Sequence, residues 1–154
     1  EVTLAAFSAA KTRGCVTILN PAPYQPLSEE LLAVTDWIIP NETEFKELHG
    51  QFPTSDEVLK SFRPGKNSIV TLGSEGAVLI TSDGNLTRVS APKVNAVDTT
   101  GAGDAFVGVF AFALASGKNA EDAMKLGIKV ASMSVTRKGA QSSYPSQAEI
   151  ETLS

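Results

Sequence analysis

Short apolar runs alternate with amphipathic segments along the whole chain of 154 residues. Short runs rich in β-branched residues are typical of buried parallel strands, and apolar residues at helical spacing are typical of helices. The pattern predicts strands at 16–19, 37–39, 68–72, 77–81 and 86–90. It predicts helices up to Gly14, at 29–34, 42–48, 56–62, 102–115 and 120 to about 136, and after Ser146. This alternation predicts an α/β fold with three layers, in which helices cover both faces of a mostly parallel sheet.

Polar residues and glycines at the ends of these elements indicate where a ligand would bind. Ser28 and Asn41 precede predicted helices and carry side chains that cap helix N-termini. Asn20, Asn41 and Gly73 each follow a predicted strand. Because ligands of parallel α/β sheets bind at the carboxyl ends of the strands, we expect these residues to converge on one crevice with the start of the helix at 102–115.

Composition and charge argue against several classes of protein. Hydrophobic residues make up 42% of the chain and the net charge is −4 without any basic block, which argues against a nucleic-acid partner. No apolar run reaches the roughly 20 residues that cross a bilayer, so no membrane partner is expected. The single cysteine, Cys15, excludes an intrachain disulfide, indicates a cytoplasmic location and is predicted to lie in the core. No G-x-G-x-x-G follows the first strand, which argues against a dinucleotide-binding enzyme.

The stretch VDTTGAGDAF at 97–106 combines a glycine-rich turn with a carboxylate at the start of a strongly apolar helix. Glycine lets the backbone approach a charged ligand, and the first N–H groups of a helix attract an anion. The candidate anion hole consists of Thr100, Gly101, Ala102 and Gly103. Asp104 is the candidate general base, which would take a proton from a hydroxyl that attacks a phosphoryl group. The same residues also fit a plain glycine turn in which Asp104 is only a capping charge.

Two other segments have a chemical interpretation and an ordinary structural one. The side-chain oxygens of Asn41, Glu42 and Glu44 could hold Mg²⁺ through water, since Mg²⁺ usually keeps several waters. The helix dipole favours acidic residues in a first helical turn in any case. The segment TLGSEG at 71–76 fits a loop around the ribose and phosphates of a nucleotide, and it also fits a plain hairpin turn.

Together these segments resemble the signature segments of the ribokinase-like carbohydrate kinase family. DTTGAGD at 98–104 is similar to the core pattern of that family. Further segments match in the same order: NPAP at 20–23, PNETE at 40–44, VTLGSEGA at 70–77 and VTRKGAQSSYP at 135–145. The resemblance implies that residues 1–154 are the C-terminal, ATP-binding and catalytic half of a Rossmann-like ribokinase fold. By the same resemblance, we expect the N-terminal sugar-binding half and its lid to have no counterpart in this sequence.

The resemblance also implies a role for each motif. It implies that Asp104 is the catalytic base behind the anion hole at 100–103, and that Glu44 orders Mg²⁺ through water. The residues that border ATP by resemblance are Asn41, Thr71, Gly73, Ser74, Gly76 and Gly103. The residues of an implied monovalent-cation site, for K⁺, are Asp98, Thr100, Ser134, Arg137, Gly139 and Ser143. Ordinary capping of a helix C-terminus would account equally well for Arg137 and Gly139.

By this resemblance the expected activity is transfer of the γ-phosphoryl group of ATP to a sugar hydroxyl. The segment at 135–145 resembles the ribokinase branch, which implies conversion of D-ribose to D-ribose 5-phosphate by a cytoplasmic protein that is a homodimer at full length. Fructokinase, adenosine kinase and ketodeoxygluconate kinase share much of the remaining pattern. The alternative is a non-catalytic nucleotide-binding fragment that needs its missing half, because the absence of the first strands would leave an unpaired sheet edge and an apolar face.

Overall fold

The computed structural model describes residues 1–62 and 67–152. Within these residues lie all the predicted strands and helices. They are α1 (Val2–Lys11), β1 (Ile18–Leu19), α2 (Glu29–Ala33), β2 (Trp37–Ile38), α3 (Glu42–His49), α4 (Asp56–Ser61), β3 (Asn67–Thr71), β4 (Ala77–Ile80), β5 (Leu86–Val89), α5 (Ala102–Ala115), α6 (Ala120–Ser134) and α7 (Gln147–Glu151). Short 3₁₀ turns occupy Gly73–Glu75 and Gln141–Ser143. The predicted element types are therefore confirmed, and the ends differ by a few residues at most.

The chain divides into two compact units. The first consists of Glu1–Thr71 with Val78–Thr87 and contains helices α1 to α4 together with most of the sheet. The second consists of Leu72–Ala77 with Arg88–Ser154 and contains helices α5, α6 and α7. The candidate site residues fall into both units.

The described strands form one sheet in the order β1-β2-β3-β4-β5. Strand β2 pairs in parallel with both β1 and β3, and Ile38 lies opposite Leu19 on one side and Ser68 on the other. Beyond the end of β2, Asn41 forms a parallel bridge with Thr71 at the end of β3. The first turn of α3 and the carboxyl end of β3 therefore lie side by side, as the sequence predicts for a parallel sheet.

The core of the first unit lies around α3, α4 and the central strands. Phe45 of α3 and Leu59 of α4 are fully buried, as are Ile69 and Val78 of the sheet. The ring centroids of Phe45 and Phe62 are 4.5 Å apart. Burial of each large apolar side chain contributes about 1.5–3 kcal/mol, so this cluster holds α3 against the sheet.

None of the ten residues of helix α1 is buried. Its attachment is polar: Lys11 Nζ lies 2.8 Å from both carboxylate oxygens of Asp36. Thr17 donates to the same carboxylate. Although burial raises the pKa of Asp36, the hydrogen bonds from Lys11 and Thr17 outweigh this effect and lower the pKa to about 2.

Cys15 is exposed, so the expectation of a core cysteine is wrong. It lies between α1 and β1, beside Val16, which is 60% exposed.

In the second unit, α5 packs on α6 through apolar side chains. Phe106 and Phe110 of α5 and Met124 of α6 are buried. Gly127 of α6 faces Phe106, and a Cβ at this glycine would lie 3.0 Å from the Phe106 ring. Just beyond α6, the carbonyl of Val135 accepts hydrogen bonds from the N–H groups of Val97 (2.7 Å) and Asp98 (3.1 Å). The end of α6 thereby holds the segment that leads into α5.

Candidate active site

The start of α5 leaves backbone donors free. Gly101 is the N-cap residue and has φ 78°, a left-handed conformation that glycine adopts without steric strain. The N–H of Ala102 donates to the carbonyl of Thr99 at 3.2 Å, and the N–H of Ala105 donates to the carbonyl of Gly101 at 2.9 Å. Within residues 1–62 and 67–152, the N–H groups of Gly101, Gly103 and Asp104 meet no acceptor. Three donors at a helix N-terminus therefore remain for an anion.

Neither the backbone conformation nor the packing within this unit requires glycine at position 103. Gly103 is exposed, lies in the first turn of α5, and a Cβ built on it would meet no atom within 4 Å among the described residues. Glycine inside a helix costs about 1 kcal/mol relative to alanine. Close approach of a ligand to the backbone at this point would explain the glycine.

Asp104 is the third residue of α5 and is exposed. No described residue donates a hydrogen bond to its carboxylate. The carboxylate lies in the same helical turn as the free N–H groups. A hydroxyl that approaches an anion held by those donors would therefore find a carboxylate oxygen to accept its proton.

Asp98 connects the glycine-rich turn to the segment after α6. One of its carboxylate oxygens accepts from the N–H of Thr100 at 3.0 Å, and the other accepts from the N–H of Gly139 at 2.9 Å. Hydrogen bonds from Thr100 and Gly139 lower the pKa of Asp98 to about 2. The carboxylate is thus charged across the neutral range and joins residues 98–100 to Gly139.

The other residues of the expected cation site bond elsewhere. The Ser134 hydroxyl donates to the carbonyl of Ala131 at 2.8 Å, and the Ser143 hydroxyl donates to the carbonyl of Ala140 at 2.6 Å. These hydrogen bonds thus bring together Asp98, Thr100 and Gly139 but leave Ser134 and Ser143 in local contacts.

Arg137 also bonds outside the expected cation site, since its guanidinium pairs with Glu149 of α7 at 2.5 Å. K⁺ binding stays a prediction.

Asn41 and Glu44 form a capping box at the start of α3. The N–H of Asn41 donates to Glu44 at 2.9 Å, and the N–H of Glu44 donates to the Asn41 side-chain oxygen at 2.9 Å. The sequence spacing N-x-x-E is itself a capping-box signal, and it accounts for both residues without a metal. No group of three or more His, Cys, Asp or Glu among the described residues could hold a metal ion. These residues fit Mg²⁺ only as an ion bound chiefly by water and nucleotide phosphates.

The loop between β3 and β4 places its predicted residues in different environments. The N–H of Thr71 donates to the carbonyl of Pro40 at 3.0 Å. Gly73 and Ser74 are exposed in the 3₁₀ turn, and space around Gly73 is open. Gly76 is buried with φ 102°, and a Cβ there would lie 2.0 Å from the carbonyl oxygen of Val89. The fold itself therefore requires glycine at position 76.

Replacement of Gly76 by alanine is expected to lower the free energy of unfolding by at least about 2 kcal/mol, because the new methyl group would collide with rigid backbone at a positive φ. Urea denaturation followed by circular dichroism measures this loss. Gly73→Ala is the control: it also has a positive φ but open space, so it should lose only about 1 kcal/mol. Equal losses in the two variants would contradict the steric argument.

Tyr144 contacts the candidate anion hole, and the sequence did not predict this contact. Its hydroxyl donates to the carbonyl of Gly101 at 3.2 Å across 43 positions of sequence. A Cβ on Gly101 would lie 2.7 Å from this hydroxyl and 3.2 Å from the Cβ of Ala140. No local sequence pattern marks this contact, because it depends on how the segment after α6 folds back beneath the glycine turn.

Comparisons with known proteins point in one direction. A profile of the "pfkB family carbohydrate kinase" matches residues 1–147. A ribokinase of Staphylococcus aureus (strain COL) is 40% identical over 157 residues, which cover 97% of this chain and 51% of that protein. A deoxyribokinase of Salmonella typhi is 42% identical over 153 residues, which cover 95% of this chain and 50% of that protein. The solved structure of Arabidopsis thaliana ribokinase complexed with ribose and ATP matches with a TM-score of 0.90 at 34% identity, over 99% of this chain and 51% of that one.

These matches confirm the predicted α/β fold class. They also show that the chain spans about half the length of the curated relatives it matches. Among the described residues, no helix is long and apolar enough to traverse a lipid bilayer.

Proposed function

Because this chain belongs to the pfkB family of carbohydrate kinases, we propose that it supplies the ATP-binding and catalytic part of a kinase that phosphorylates a sugar hydroxyl. The observation that carries the proposal is the start of α5, where free N–H donors stand in one helical turn with the unbonded carboxylate of Asp104. Phosphoryl transfer depends mainly on positioning and on charge stabilisation, which such a turn can provide. The sugar-binding half of the domain would come from another part of the polypeptide.

In the proposed reaction the Asp104 carboxylate orients the sugar hydroxyl and accepts its proton as the hydroxyl oxygen attacks the γ-phosphorus of ATP. The bond between the γ-phosphorus and the bridging oxygen breaks, and ADP leaves. The N–H groups of Gly101 and Gly103 stabilise the charge on the transferred group. Mg²⁺ neutralises phosphate charge when bound, and Glu44 would orient its water shell. The exposed Gly73 and Ser74 would lie along the nucleotide. A K⁺ bound beside Asp98 would hold the backbone of the anion hole at 100–103 in place.

For the acceptor we propose D-ribose, with D-ribose 5-phosphate as the product. Support comes from the similarity to ribokinases and from the resemblance of the segment at 135–145 to the ribokinase branch. The similar identity to a deoxyribokinase makes 2-deoxy-D-ribose the chief competing acceptor. These two sugars differ at one hydroxyl, so a direct comparison of them decides the substrate.

The test is sugar-dependent ADP release by the complete polypeptide, with Mg²⁺ present and K⁺ either present or replaced by a bulky organic cation. We expect release with D-ribose, slower release with 2-deoxy-D-ribose, none without Mg²⁺, and a rise with K⁺. Phosphorus NMR would identify the product. ATP binding without ADP release for any tested sugar would contradict the kinase proposal.

A second candidate function is nucleotide binding without catalysis by this chain alone. Two observations favour it: β1 lies at the end of the described sheet, and no residue of α1 is buried. An unpaired sheet edge and an uncovered helix are surfaces that a further part of the polypeptide could cover. If this candidate is correct, the isolated 154-residue chain should bind ADP but release none from ATP and sugar, and it should self-associate in sedimentation experiments.

A further inference from the structure

The hydroxyl of Tyr144 points at the peptide that opens the anion hole. It donates to the carbonyl oxygen of Gly101 at 3.2 Å. This carbonyl and the N–H of Ala102 belong to one rigid peptide plane. We propose that Tyr144 is a positioning residue for the anion hole, a role that rests on the proposed phosphoryl transfer.

The peptide plane between Gly101 and Ala102 needs such support because glycine is the most permissive residue of the backbone. Two local hydrogen bonds hold the plane, from Ala102 N–H to Thr99 and from Ala105 N–H to Gly101. Tyr144 adds the bond that comes from a distant segment of the described chain. The directions of the free N–H groups of Gly101 and Gly103 depend on the torsion angles of Gly101. Displacement of a reacting group by about 1 Å can lower a rate a hundredfold. The torsion angles of Gly101 therefore affect catalysis through the directions of these N–H groups.

Tyr144 is itself held in a well-supported segment. It follows the 3₁₀ turn Gln141–Ser143, and the N–H of the buried Ser143 donates to the carbonyl of Ala140 at 3.0 Å. At the other end of this segment, the N–H of Gly139 bonds to Asp98. Residues 139–144 therefore contact the glycine-rich turn at two points, through Asp98 and through Gly101. The bond from Gly139 to Asp98 and the 3₁₀ turn before Tyr144 hold the backbone of this segment, and this limits where the Tyr144 hydroxyl can lie.

The experiment compares Tyr144→Phe with Ser142→Ala in the complete polypeptide. Tyr144→Phe removes only the hydroxyl, and Ser142→Ala removes a hydroxyl of the same segment that donates to Lys138 instead. In Tyr144→Phe, kcat should fall about three- to tenfold, as for loss of one hydrogen bond. The sugar KM and the ADP affinity should stay within about twofold, since neither reports directly on the transferred group. Affinity for Mg²⁺-ADP with aluminium fluoride and sugar should fall by the same factor as kcat, and Ser142→Ala should match the wild type.

Each contrary outcome has a distinct meaning. An unchanged kcat in Tyr144→Phe, with an active wild type, would overturn the role of Tyr144 and leave the proposed function in place. If kcat falls, ADP affinity falls by the same factor and the melting temperature also drops, then Tyr144 has a merely structural role. That result would also overturn the positioning role of Tyr144.

If the wild type releases no ADP with any sugar, the proposed function fails by itself. Titration of inorganic phosphate against the amide resonances of Gly103 and Asp104 then decides the role of Tyr144. Weaker phosphate binding in Tyr144→Phe than in Ser142→Ala would support it, and equal binding would overturn it.

Discussion

Replacement of Asp104 by asparagine is expected to lower sugar-dependent turnover about a thousandfold, because an amide cannot accept the proton of the attacking hydroxyl. The fold should survive, since the Asp104 side chain is exposed and accepts no hydrogen bond from the described residues. The loss of a favourable interaction with the helix dipole should reduce stability by less than about 1 kcal/mol. Initial-rate kinetics, the melting temperature and ADP affinity measured by calorimetry would test the three expectations together.

Asp122→Asn is a matched control for this substitution. Asp122 is the third residue of α6, as Asp104 is the third residue of α5, and both side chains are exposed. The control therefore makes the same chemical change at the same helical position without touching the glycine-rich turn. Near-normal turnover in Asp104→Asn, or an equal loss in Asp122→Asn, would show that Asp104 is not the base.

Replacement of Gly103 by alanine is expected to lower turnover at least about a hundredfold and to raise the melting temperature. The rise follows from the better helix propensity of alanine and from the open space around the new methyl group. The loss of turnover follows because the methyl group would occupy the space that the transferred phosphoryl group needs beside the backbone. Very few structural glycines combine these two effects, so the pair of outcomes is diagnostic of a ligand at this position.

Gly108→Ala calibrates the expected gain in stability. Gly108 lies in the same helix and is exposed, and a Cβ on it would also meet no atom within 4 Å among the described residues. The two variants should therefore gain similar unfolding free energy, about 0.5–1 kcal/mol each. Normal kcat and KM in Gly103→Ala would show that nothing approaches this backbone, and the anion hole would have to be placed elsewhere.

The elements of the fold could be predicted because their signals are local. Ser28 caps α2 by accepting the N–H of Leu31, and Asn41 caps α3 by accepting the N–H of Glu44. Gly50 ends α3 in the left-handed conformation that usually selects glycine. Each signal acts over about one helical turn, so the sequence carries it without reference to the rest of the molecule.

Burial at the first helix and strand could not be predicted in the same way. The apolar pattern places Cys15 and Val16 in the core, yet both are exposed. An apolar residue is buried only where another surface covers it, and the described residues do not cover this part of the chain. The long-range pair of Lys11 and Asp36, which anchors α1, has no local signal either.

The sequence by itself determined the order of strands and helices, the glycine-rich start of α5, and the carboxylate in its first turn. Only the tertiary structure distinguished the glycines: Gly76 and Gly101 face atoms that would collide with a Cβ, whereas Gly103 faces open space. The same is true of the contacts of Gly139 with Asp98 and of Tyr144 with Gly101, which span 41 and 43 positions. Local conformational preferences act between neighbouring residues, whereas steric contact and distant hydrogen bonds exist only once the chain has folded back on itself.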